Sequence, residues 1–318
     1  MLKYVYYNSR ERSCKRGKDA DYKVPSGNDF VWLLMEKPGE KEIAKICKDF
    51  KLQKKYFEFY KNEKRSARYS VDPLVFVFMD YYLENEIIKN SHILFILKEN
   101  ALIIVLPTVT EFHNELFDRL AETIEMGRVK NLGYLMYQFM LDDVNENYDV
   151  LDKVDHMITE LDKKVIKGNS NTSMLDVVKL KRRIHMMARR FWGSAKIIFV
   201  IKKGLGPVKV DTENLHLLDD VYDTYMHQVD ILASYKDMLT DILTIHTTKA
   251  SNDLNLIIKR LTALTVILMV PNLIASMYGM NFDEIPLLHN GFGFLMSFLM
   301  MMASIVLLYA FFHQKKWI

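Results

Sequence analysis

Alternating steps of three and four residues from Asn255 pick out Asn255, Ile258, Thr262, Thr265, Met269, Asn272 and Ser276. That spacing follows one face of a helix. The faces beside it carry Leu261, Leu264, Ile267, Leu268, Leu273 and Ile274, so a polar seam runs through an otherwise apolar segment. Its amide and hydroxyl oxygens are neutral, hard donors, suited to hydrogen-bonding the water shell that a small divalent cation surrenders reluctantly. The segment closes on "YGMNF", where Gly279, Met280 and Asn281 end the run on an uncharged amide. A ring of carboxylates there would hold a divalent ion too firmly, whereas a ring of Asn281 amides can hold the ion's waters and still release it. Gly279 would let backbones approach and the helix end turn. A helix contact glued by small polar residues, ending in an asparagine cap, has the same residue pattern.

The same stepping toward the N-terminus gives Ser251, Thr248, Thr244, Asp241, Asp237, Ser234, Asp230, His227, Asp223 and Asp220. A straight helix drifts by about 20° per heptad from such a repeat, so the far end turns partly away. An acidic seam leading into a neutral polar one suits a cation path. Along it, Met269 and Ile258 would be narrow apolar points that gate by dewetting. Asn255 would close the inner neck beside Lys259 and Arg260.

The elements that position these residues follow from charge and hydropathy. Residues 261–282 hold 22 positions without a formal charge and residues 292–312 hold 21. As helices they span roughly 33 and 31 Å at 1.5 Å per residue, enough for a bilayer core. Lys259 and Arg260 precede the first span, and Lys315 and Lys316 follow the second. The short connection "DEIPLLHNG" carries Asp283 and Glu284 but no Lys or Arg. The positive-inside rule then puts both termini in the cytoplasm and the loop outside, in a cell membrane. One chain with two spans encloses no pore, so several copies must share an axis, with the first span inside.

The preceding residues balance 43 Lys+Arg against 40 Asp+Glu over the whole chain, for a net charge of +3. That excludes a strongly basic nucleic-acid binder. Cys14 and Cys47 make no disulfide framework, and the N-terminus lacks a secretory apolar segment. "DFVWLLMEK" and "PLVFVFMDYY" read as strands, "EKEIAKICKDFKL" as a helix, and "HILFILKENALIIVLP" as a hairpin turning at Glu99-Asn100. The expected organisation is a cytoplasmic α/β domain over 1–105 and a helical stalk over 106–254. The pore-lining first span covers 255–281, an external loop 282–291, the second span 292–313 and a cytoplasmic tail 314–318. The stalk reads as one long helix over 111–166 up to a polar hinge at "KGNSNTS", then a second from "MLDVVKL". A third starts at Asp211 and continues without Gly or Pro to Val270. Lys181 to Arg183 with Arg189-Arg190 read as a solvated or interdomain face. No phosphate loop, nucleophile elbow or paired His ligands occur, so an enzyme is not expected.

"YGMNF" after a first span, the short loop, the second span and the near-terminal "KKW" resemble the CorA family of magnesium transport proteins. "NLIIKRLT", "PNLIASMYGMNF", "LDDVYD", "LKRR" and "ENALIIV" are similar to its pattern over most of the chain. The resemblance implies a homopentameric funnel in the lipid bilayer, with the Gly-Met-Asn turn at the outer mouth. It implies Mg²⁺ as both cargo and regulator, with Co²⁺ or Ni²⁺ carried by many members and Zn²⁺ by a branch. Cytosolic Mg²⁺ between subunits holds such pores shut. Asp220 of "LDDVYD" matches a regulatory ligand, with Asp219 and Asp223 beside it, and Glu84 and Glu86 are the expected partners from a neighbouring subunit. Three departures stand out. Pro286 is followed by leucines where the family carries an acid, Asn272 stands where threonine is frequent, and Ile258 where methionine is common. The alternatives are a Co²⁺/Ni²⁺ or Zn²⁺ transporter of the same fold, or a membrane scaffold without transport. Scattered histidines, with no His/Cys cluster, favour magnesium.

Overall fold

The computed structural model describes residues 1–18, 21–62, 65–129, 131–166, 174–203, 215–281, 285–286 and 291–318. The polar hinge, the helix start at Asp211, and Asp283 and Glu284 lie outside them. The backbone divides into two compact units, Met1–Thr240 and Asp241–Ile318.

The first unit is built on a seven-stranded sheet of order β2-β1-β3-β7-β6-β5-β4. The strands are β1 (Leu2–Asn8), β2 (Ser13–Lys18), β3 (Phe30–Glu36), β4 (Ala67–Ser70), β5 (Leu74–Glu84), β6 (Ile87–Lys98) and β7 (Ala101–Leu106). Only β3 and β7 pair in parallel. Both are covered on two sides, which is why "FVWLLM" and "ALIIVL" are continuous apolar runs and not alternating ones. On one face α1 (Glu40–Asp49) and α2 (Lys55–Asn62) close a core through Ile43, Ile46, Phe57 and Tyr60. On the other, Trp32 meets Phe117 of α3 (Glu111–Glu125) and Phe139 of α4 (Leu132–Ile166), and Tyr81 meets Phe191 of α5 (Met174–Lys202).

The single helix expected over 111–166 is two. Helix α3 stops at Met126, and Gly127 takes φ 69°. Its N–H reaches Ile124 O at 2.9 Å, and the Arg128 N–H reaches Thr123 O at 3.1 Å. This paired closure uses glycine in the left-handed region to satisfy the last carbonyls. Basic residues on α5 brace elements within this unit. Arg190 donates to the Tyr81 hydroxyl at 2.8 Å, Arg183 to Ile88 O at 3.3 Å and Lys181 to Thr240 Oγ1 at 2.7 Å.

Helix α6 (Leu215–Tyr278) is continuous over 64 residues and contributes to both units. Pro271 lies inside it and has no N–H to give Ile267 O. In the second unit α6 is followed by α7 (Gly293–Gln314).

The sheet also buries charge. Asp80 on β5 and Asp143 on α4 are 3% exposed each, and burial pushes both carboxyls up to about 8, each with carboxylate neighbours adding to the rise. Their folded values lie above the unfolded one, so the folded state binds extra protons from about pH 4 to 8 and stability falls as pH rises through that window. In chelator, the melting temperature should drop by several degrees between pH 6 and 8, at about 2–4 °C per kcal/mol for a unit of this size. Asp80→Asn should flatten that slope, as read by thermal unfolding at each pH.

Candidate functional site

Both helices of the second unit are long and apolar enough to cross a membrane, with mean hydropathy 1.7 and 2.3 in their most apolar windows. They meet through Ala263 and Ile267 of α6 and Phe312 of α7, with Val266, Ile305, Leu308 and Trp317 packed alongside. At 100° per residue that contact face lies about 150° around α6 from the mean direction of the polar seam. Accordingly Asn255, Ile258, Thr262, Thr265, Met269, Asn272 and Ser276 are all exposed, Ile258 at 59% and Met269 at 63%. The apolar flank is equally open, with Leu261 at 63% and Leu268 at 60%, so chemistry and not exposure distinguishes the two faces. The Thr265 hydroxyl donates to Leu261 O at 2.8 Å. Its proton is thereby occupied, and its oxygen lone pairs are left to face outward as acceptors.

Helix α6 ends one residue before the Gly-Met-Asn triplet. The Gly279 N–H is shared between Ala275 O at 3.0 Å and Ser276 O at 3.2 Å, and Met280 N–H reaches Met277 O at 3.3 Å. Gly279 is not in the left-handed region, and an added Cβ would meet only those two carbonyls, at 3.4 and 3.5 Å. Among the described residues, neither the turn nor the packing of one chain therefore demands glycine here. Met280 and Asn281 are exposed.

The near-terminal "KKW" has its own local logic. Helix α7 is capped at Lys315, Lys316 takes φ 57°, its N–H reaches His313 O at 3.0 Å, and the Trp317 N–H reaches Phe312 O at 3.0 Å. This left-handed closure folds the Trp317 ring onto Phe312, with centroids 5.5 Å apart, against the residue that seals the hairpin.

The expected regulatory acids belong to the first unit. Asp220 and Asp223 are exposed on α6 and have no ion-pair partner among the described residues, whereas Asp219 pairs with Lys202. Glu84 pairs with Lys89, and Glu86 pairs with Lys153, which holds the Glu86 carboxyl below its usual value. Glu84 ends β5 and Glu86 lies in the β5–β6 turn, whose Asn85 and Glu86 take positive φ, at 49° and 64°. Among the described residues these five acids do not gather within one chain. The one group of three metal-capable side chains within 4.8 Å is Asp80, His113 and Asp143. The acidic seam continues on α6 as an exposed row, from Asp220 and Asp223 through Asp230, Asp237 and Asp241.

Residues 27–315 match the family of CorA-like Mg²⁺ transporter proteins. The chain belongs to that family. A cobalt/magnesium transport protein CorA of Methanocaldococcus jannaschii is 24% identical over 305 residues, covering 91% of this chain and 92% of that protein. The protein of the same description from Thermotoga maritima is 23% identical over 73% of this chain and 66% of its own length. The complete structure of the CorA magnesium transporter from M. jannaschii superposes with TM-score 0.82 at 18% identity, covering 100% of this chain and 99% of that one. The α/β unit, the long helix and the C-terminal apolar helix are thus the CorA architecture, and the two apolar helices fit a membrane transporter.

Lys316 holds a conformation that costs a side chain about 1 kcal/mol, so Lys316→Gly should leave thermal stability in detergent unchanged or raised. Trp317→Ala should lower it by a similar amount through loss of the Phe312 contact. Differential scanning fluorimetry of the purified protein reads both.

Proposed function

We propose that this chain is a channel-like Mg²⁺ transporter, assembled as a homopentamer around the polar seam of α6. The observation that carries this reading is the hairpin's own packing. Ala263 and Ile267 turn one face of α6 to Phe312, and among the described residues the seam is left exposed. Amide and hydroxyl side chains cannot face hydrocarbon cheaply, and a shared aqueous axis removes that cost. The relatives described as magnesium or cobalt/magnesium transport proteins supply the cargo class.

In the assembly, Asn281 from each copy forms the outer ring. Amide oxygens accept hydrogen bonds from a hydrated ion, binding it well enough for capture and loosely enough for release. Gly279, free of any intrachain demand, lets five backbones approach at the mouth. Asp283 and Glu284 draw cations toward it. Asn272, Thr265 and Thr262 line a wet path, Met269 and Ile258 narrow it, and Asn255 closes the inner neck. Both termini lie in the cytoplasm, where Mg²⁺ bridging Asp220 and Asp223 to Glu84 and Glu86 of a neighbouring copy holds the stalks together. Its loss leaves like charges that push them apart.

Asn281→Ala should abolish Mg²⁺ flux into proteoliposomes while gel filtration still shows the intact oligomer; retained flux would remove the ring from the mechanism. Gly279→Ala should assemble less tightly or conduct poorly, with the single-chain fold unaffected by circular dichroism. For the sensor, Asp220→Lys should raise several-fold the internal Mg²⁺ needed to stop uptake, and an unchanged shut-off would exclude that residue.

A further inference from the structure

Beneath the sheet of the first unit, far apart in sequence, four elements bring ligand-type side chains together. Asp80 comes from β5, Ser91 from β6, His113 from α3 and Asp143 from α4. The three metal-capable groups place a donor atom of each within 4.8 Å of the others, and all are buried. His113 Nε2 lies 3.3 Å from Asp143 Oδ1. Two donors on one metal ion, each about 2.1 Å from it, lie roughly 3.0–3.4 Å apart, so this spacing fits a shared ion.

Independent of the acids, Ser91 points to a missing partner. It pairs directly with Asp80 across the β5–β6 ladder, on the same face of the sheet. It is 5% exposed, and its hydroxyl has no hydrogen-bond partner. One turn beyond Asp143, Asn147 is 1% exposed with both amide atoms unpartnered. Buried polar atoms ordinarily find partners, and here one orphan stands opposite Asp80 and another one helical turn from Asp143. The imidazole is held in place: Nδ1 lies 2.6 Å from Thr110 Oγ1 and accepts from the Thr110 N–H at 3.3 Å, which fixes the ring with Nε2 directed at Asp143.

We propose that Asp80, His113 and Asp143 form an intrasubunit site for a divalent transition-metal ion, with Ser91 as a neighbouring oxygen donor. One imidazole among carboxylates favours Co²⁺, Ni²⁺ or Zn²⁺ over Mg²⁺, which prefers oxygen alone. Two buried carboxyl groups and a buried imidazole, with a donor atom of each within 4.8 Å of the others, form an arrangement that a dication would hold together. The site lies wholly within one chain and does not depend on the seam, the Asn281 ring or the stalk acids, so it stands or falls separately from transport.

The test uses the full chain in detergent, stripped with chelator and titrated with Co²⁺ in excess Mg²⁺ to saturate oxygen-only sites. X-ray absorption at the cobalt edge should show one imidazole with carboxylate oxygens, at one ion per chain by elemental analysis. Co²⁺ should also raise the melting temperature by several degrees. The Asp80→Asn and His113→Gln variants should each lose the imidazole signature and the thermal gain. Wild-type protein that binds no Co²⁺ under excess Mg²⁺, or binds it with oxygen ligands alone, overturns the proposal whether or not the variants fold. So does an imidazole signature that persists in His113→Gln. A melting curve that responds to pH but not to Co²⁺ would mean the carboxylates hold only protons.

Discussion

Ala263 and Ile267 of α6 press against Phe312 of α7, and this small apolar contact decides the use of everything else in the second unit. A two-helix hairpin in a bilayer gains little from the hydrophobic effect, because lipid is as apolar as leucine. Close packing of shape against shape must hold it. Ala263 lets the helices approach, and Trp317, folded back by the left-handed Lys316, packs over Phe312 at the end of α7. Once that face is spent, Leu261, Leu264 and Leu268 have lipid as a natural environment. The row from Asn255 to Ser276 has none in a single chain. The requirement for copies around an axis thus follows from which face the hairpin consumes.

The seam was legible in the sequence because a helix maps spacing onto direction, and no tertiary contact intervenes where a helix has only one neighbour. The strands of the sheet centre were legible for a related reason. Doubly covered strands must be apolar throughout, and the Glu99-Asn100 turn separates two such runs, β6 ending at Lys98 and β7 starting at Ala101. β2 has no such pattern: "SCKRGK" is polar, since this edge strand faces solvent on much of its surface. The break between α3 and α4 hid in one glycine amid helix-forming residues, where the left-handed backbone of Gly127 rather than composition ends the helix.

The buried Asp80–His113–Asp143 group was illegible for a deeper reason. Its members stand 30 or more positions apart, each alone in an ordinary context: an acid within an apolar strand, a histidine in a capping turn, an acid on an amphipathic helix. Only β-sheet register and helix docking make them neighbours. No histidine stands on the row from Asn255 to Ser276, and the one gathered with acids lies in the other unit.

Gly279 shows how a single chain can expose a requirement that it does not itself impose. Glycine at a helix end commonly serves a left-handed backbone or a tight approach by its own chain. Neither applies, since its φ is ordinary and an added Cβ would touch only two carbonyls of its own helix at van der Waals distance. The turn that presents Asn281 would form with alanine. What alanine would add is a methyl group on the surface of each chain's outer end. In the proposed pentamer that surface faces neighbouring copies, and the addition is repeated around the outer ring. A filter that reads the hydration shell of an ion depends on the spacing of its amide oxygens. On the proposed assembly, the smallest residue at this position serves the geometry between chains.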